Sequence, residues 1–260
     1  MKKPNAESSY FFVDESGDPT FYDRKGNLIV GQEGCSTLLI LGLVEIGDPI
    51  PLRRAILSLQ SEIVNDPYFS GVPSIQQTKI AFHAKDDVPE VRYRFYNLLA
   101  ELDFRAQFVV ARKIERVFRN NFHSKENEFY DHLITQLFDG KLHKHASNFI
   151  FFAKRGSRSR QVPIADAIEK SIHIFETKWN TTVNTETVVQ AQSPAGEPCL
   201  SIVDYMNWAV FRAFTRKEMR YFETVRNKVG LLIDLYDTVK YPQNWYSKKN
   251  PFHVNKITPL

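Results

Sequence analysis

Two periods run through this chain of 260 residues. Short apolar runs of strand length recur at residues 10–13, 36–44, 104–111, 148–153 and 185–191. Between them apolar residues return every three or four positions, the period of an amphipathic helix. These stretches predict helices over about 49–64, 91–102, 125–137, 164–179 and 199–215, with a further one near 217–225. Pro49, Pro51 and Pro89 stand at helix starts, where a missing N–H costs little. The run at 36–44, Ser-Thr-Leu-Leu-Ile-Leu-Gly-Leu-Val, is almost unbroken and predicts a central strand. Residues 20–22 and 28–30 flank a Gly-Asn loop and predict a hairpin. Residues 79–87 predict a short strand or extended segment. From 234 to 260 the chain is aromatic, broken by Pro242 and Pro251, and reads as a tail packed on the surface. An early hairpin followed by alternating strands and helices predicts a three-layer α/β domain, a mixed central sheet with helices on both faces. Neither repeat nor linker divides the chain, so one domain over 1–260 is expected, its last part an extension over about 226–260.

Composition adds bounds. With 43% apolar and 13% aromatic residues the chain can build a large core. A formal net charge of +4 is mildly basic and compatible with a polyanionic partner. Cys35 and Cys199 are far apart without metal spacing and read as buried thiols of a reducing compartment. The opening Met-Lys-Lys lacks the apolar stretch of a secretory signal. The longest apolar run, 36–46, is too short to span a bilayer and contains Glu45. The expectation is a soluble cytoplasmic protein with no membrane partner.

Chemistry concentrates in four places. The first strand, Tyr10-Phe11-Phe12-Val13, runs into Asp14-Glu15-Ser16-Gly17-Asp18. Carboxylates delivered by a rigid strand suit a hard divalent cation, which prefers oxygen ligands. A polar turn closing a strand would have the same composition. Alternation places Asp14 and Glu15 on opposite faces. Second, Leu200, Val203, Asp204, Asn207 and Phe211 share one helical face. A carboxylate there needs a metal or a cationic partner. Third, His83-Ala84-Lys85-Asp86-Asp87 offers an imidazole for proton transfer, metal or phosphate contact, with Asp87 suited to cap the helix at Pro89. Fourth, residues 141–160 hold six Lys or Arg, two His and no acid. Within them Lys154, Arg155, Arg158 and Arg160 can contact phosphate or form a solvated loop. Arg212, Arg216, Lys217 and Arg220 add cations beyond Asp204. Phosphate-loop, dinucleotide, nucleophile-elbow and zinc signatures are absent from the sequence.

Taken in order, Phe12-Val13-Asp14-Glu15-Ser16-Gly17-Asp18, Phe82-His83-Ala84-Lys85-Asp86-Asp87, the strand before Lys154-Arg155-Gly156-Ser157, and Leu200-Ser201-Ile202-Val203-Asp204-Tyr205-Met206-Asn207-Trp208-Ala209 resemble the bacterial domain-of-unknown-function family 3800. The resemblance covers about residues 9–225. It implies a ribonuclease H-like fold, an antiparallel run of strands followed by alternating strands and helices. It also implies a nuclease using Mg²⁺ or Mn²⁺, from a mobile-element or phage-defence setting with possible defence-protein partners. On it, Asp14 and Asp204 are the metal-binding carboxylates, with His83 assisting; Glu15 and Asp18 are candidate supplements. Two departures stand out: Ser201-Ile202-Val203-Asp204 lacks the family's Gln, and the strand over 104–111 ends in Arg112-Lys113 rather than an acid. The alternatives are a non-catalytic nucleic-acid- or protein-binding subunit with a degenerate site, and a hydrolase of small nucleotides.

Overall fold

The computed structural model describes residues 5–154 and 161–260. Its centre is a seven-stranded mixed sheet. In chain order the strands are β1 (Asn5–Gly17), β2 (Leu38–Ile46), β3 (Arg105–Arg112), β4 (His145–Ala153), β5 (Glu186–Gln192), β6 (Val229–Leu235) and β7 (Trp245–Tyr246). Across the sheet they lie in the order β5-β4-β1-β2-β3-β6-β7. β1, β2 and β3 form an antiparallel run, with Phe12 opposite Val44 and Gly42 opposite Phe108. β4 and β5 add in parallel beyond β1, and β6 adds in parallel beyond β3.

The helices are α1 (Pro49–Asn65), α2 (Ile75–Thr78), α3 (Pro89–Glu101), α4 (Glu115–Phe122), α5 (Glu126–Phe138), α6 (Gln161–Trp179), α7 (Leu200–Arg216) and α8 (Arg220–Val225). They cover both faces, because the inner strands are apolar on both. Phe12, Ile40 and Val44 pack under α1, α3, α7 and α8, through Ile56, Phe95, Met206 and Phe222. Phe11, Val13, Leu39, Leu41 and Leu43 pack under α4, α5 and α6, through Phe118, Leu133 and Ile168. Strand alternation thus sorts one run of sequence into two cores. Among the described residues no helix is long and apolar enough to cross a membrane.

The structure departs from the sequence expectations in four places. The hairpin over 20–30 reduces to one bridge, Tyr22 to Leu28. Residues 79–87 form turns after the short α2 instead of a strand. α4 was not anticipated. The stretch over about 226–260, expected as an extension of the domain, contributes β6 to the sheet interior and β7 to its edge.

Candidate functional site

Asp14 lies near the end of β1, two residues past Phe12, and so shares the face covered by α7. Its strand partner is Gly42. That glycine is needed: a Cβ there would sit 2.1 Å from Asn207 Oδ1. The gap lets Asn207 Nδ2 donate to the Asp14 carbonyl oxygen at 2.9 Å. α7 is thereby seated directly on the end of β1. The Asp14 carboxylate turns back to accept from the Glu15 backbone N–H at 2.8 Å.

Asp204 lies one turn before Trp208 on α7, with its side chain 17% exposed. Its Oδ2 accepts from the Ala84 backbone N–H at 2.7 Å, and its Oδ1 is 3.8 Å from His83 Nε2. Burial pushes the carboxyl up to about 6, opposed by His83 and the Ala84 N–H and reinforced by Asp87 and Asp86. Desolvation favours the neutral acid, so the ionised form needs a cation or a hydrogen-bond donor beside it.

The segment carrying His83 is irregular, so side chains fix it in place of a backbone ladder. Ser201 Oγ donates to the Phe82 carbonyl at 3.0 Å. Asp87 is buried and accepts from the His83 N–H at 2.9 Å, from Thr78 Oγ1 at 2.6 Å and from the Tyr205 hydroxyl. Arg92 donates to the Ala84 and Asp87 carbonyls. Ser201, Asp204 and Tyr205 are spaced i, i+3, i+4, so one stripe of α7 clamps the whole segment. His83 remains about half exposed, its Nδ1 3.0 Å from Asp86 Oδ2. Asp87 is not the helix cap expected from its position: the cap residue is Val88, without a side-chain bond.

These residues open on a common cleft of about 960 Å³, lined by Asp14, Glu15, Asp18, His83, Lys154 and Asp204 among others. Asp18 contributes little as a ligand. Its carboxylate accepts from the Thr20 N–H at 3.0 Å, Lys113 Nζ at 3.1 Å, and Ser36 N and Oγ at 3.3 and 3.4 Å. It anchors the turn after β1 against a buried lysine. Glu15 also lines the cleft, although alternation assigns it to the opposite face from Asp14. Lys154 is exposed there, while Arg155, Arg158 and Arg160 lie outside the described residues.

Among the described residues no group of three or more His, Cys, Asp or Glu is arranged to hold a metal ion. Two carboxylates facing one cleft nonetheless suit Mg²⁺, which commonly takes one or two carboxylates and keeps waters or substrate phosphate oxygens as its other ligands. Tyr205 and Trp208 are site residues that patterning did not single out; Asn207 and Phe211 were placed on the Asp204 face, and Asp87 as a cap, without these contacts. Gly42, the residue that admits Asn207, had a signal: it interrupts an otherwise apolar strand, the mark of a close approach. No protein-family model matches this chain, and no curated protein matches it in sequence.

Proposed function

We propose that this protein is a divalent-metal-dependent nuclease with a ribonuclease H-like fold, of the family-3800 type. The observation that carries the reading is convergence: Asp14 from β1 and Asp204 from α7 line one cleft with His83 and Lys154. The antiparallel run β1-β2-β3 followed by parallel β4 and β5 supports the fold part of the proposal.

Asp14 and Asp204 would hold the ion. When bound, Mg²⁺ or Mn²⁺ lowers the pKa of water and stabilises charge on phosphoryl oxygens. Asp86 orients the His83 ring through Nδ1, which leaves Nε2 beside Asp204 to take or give a proton. Lys154 holds a phosphate of the backbone.

The test is cleavage of labelled DNA and RNA with Mg²⁺ or Mn²⁺, with binding followed in parallel. Asp14→Asn and Asp204→Asn are each expected to lower cleavage at least about 100-fold, a typical loss for removing one electrostatic element. Binding should largely persist. Wild-type cleavage by Asp204→Asn would sink the reading. A second reading, a binding subunit on the same fold, is favoured by Arg112 and Lys113 at the end of β3, where an acid was expected and where both instead pair with carboxylates. It predicts binding without metal-dependent cleavage in the native chain.

A further inference from the structure

Asp204, Trp208 and Phe211 follow at i, i+4 and i+7 along α7 and share one stripe of that helix. All three line the cleft, with Arg216 beyond them at the helix end. Trp208 and Phe211 are only partly buried, resting on the core beneath. The indole is braced by two guanidinium groups, Arg92 at 5.7 Å and Arg212 at 5.3 Å from its centroid. Lys85 and Lys154 bring further positive charge to the same cleft. The cleft therefore combines acids, aromatic rings and cations.

We propose, resting on the nuclease reading above, that this cleft takes a single unpaired strand. Bases stack on Phe211 and Trp208 while phosphates run past Lys154 and Arg216 toward Asp14 and Asp204. In a duplex, base faces are covered by their neighbours; only an unpaired strand offers them to aromatic side chains. The helical rise of about 1.5 Å per residue puts Trp208 and Phe211 roughly 6 and 10 Å along α7 from Asp204. The rings are thus placed to hold bases adjacent to the phosphate at the carboxylates.

The experiment is fluorescence anisotropy of a short labelled oligonucleotide, unpaired or annealed to its complement, with the native chain in EDTA. The unpaired strand is expected to bind at least tenfold more tightly. Phe211→Leu and Trp208→Ala should each weaken single-strand binding about fivefold or more, the usual loss for one base-stacking ring. Trp208→Phe should retain most of it. Duplex binding equal to or tighter than single-strand binding overturns the proposal without any variant, as does unchanged affinity in both ring-removing variants. Duplex bound and cleaved would leave the nuclease reading standing and this inference refuted. Single strands bound and never cleaved would do the reverse. No binding of either refutes this inference and leaves the nuclease reading to the cleavage assay.

Discussion

At the residue scale the site turns on how Asp204 is solvated. Burial raises its carboxyl from 3.8 to about 6, so the folded chain holds this proton more tightly than the unfolded chain. The sign follows from linkage. Between about pH 4 and pH 6 the native state binds more protons, so stability falls as pH rises through that window. The full loss for a carboxyl moved from about 4 to about 6 is at most about 3 kcal/mol. It stays lost above pH 6. In EDTA, Asp204→Asn is expected to be more stable than the native chain at pH 8, by about 1–3 kcal/mol, and nearly equal at pH 4. Urea unfolding at the two pH values measures this. A variant less stable than the native chain at pH 8 would mean that the ionised Asp204 is a net stabiliser of the folded state. Asp87 is a contrasting case. Its pKa is also raised by burial, yet Thr78, Tyr205 and the His83 N–H all favour the ionised form. Three donors make it a fixed anchor for the His83 segment, whereas Asp204 keeps one edge toward the cleft.

At the element scale the site depends on α7 lying close against β1 and β2, and Gly42 sets that distance. Gly42→Ala would bring its Cβ to 2.1 Å from Asn207 Oδ1, 2.9 Å from Asn207 Cγ and 3.1 Å from Phe108 Cε1. The helix must shift or Asn207 must rotate away from Asp14. Overpacking of this kind costs about 1–3 kcal/mol. Asn207→Ala removes the obstructing amide, so the double variant is expected to recover at least half of the Gly42→Ala loss. A double-mutant cycle on urea midpoints reads the coupling; strictly additive losses would show that Gly42 does not act through Asn207. Much of this element was legible in advance. The 3.6 period located α7 and put Asp204 on its buried stripe, and the apolar runs located the strands of β1 to β5. What faced those residues was not legible. The segment 79–87 has no period, because its shape comes from Thr78, Ser201 and Arg92 of flanking helices bonding to its Asp87, Phe82 and Ala84. α4 was missed because its apolar residues, Val117, Phe118 and Phe122, are few among Arg and Asn. Phe211 was placed on the Asp204 face and Trp208 was not singled out; their place in the cleft depends on segments from elsewhere in the chain.

At the scale of the whole molecule, the stretch from 226 onward belongs to the same core as the site. β6 was missed because Val-Gly-Leu-Leu-Ile-Asp-Leu holds a glycine and an acid, both poor strand signals. The acid has a partner that only the fold supplies. Arg112, at the end of β3, makes a two-pronged pair with Asp234 of β6 at 2.9 and 2.7 Å. It also reaches Asp237 at 3.2 Å and the Pro259 carbonyl at 2.8 Å. The neighbouring Lys113 likewise serves Asp18, so the two basic residues where a catalytic acid was expected are structural counter-ions. One guanidinium therefore joins β3, β6, the following turn and the C-terminal residues. Asp234 is fully buried and Asp237 nearly so. Arg112→Ala would strand two carboxylates in the interior, which typically costs about 3–5 kcal/mol. Burial already raises the Asp234 carboxyl against the opposing pull of Arg112, so the variant should regain part of its stability as pH falls and Asp234 takes up a proton. Urea unfolding at pH 8 and pH 5 tests both parts. A loss under about 1 kcal/mol at pH 8 would show that solvent replaces the guanidinium, and that the C-terminal stretch is held by its apolar contacts alone. The larger loss, with partial recovery in acid, would make the Arg112 cluster the electrostatic latch that holds β6 to the strands carrying the site.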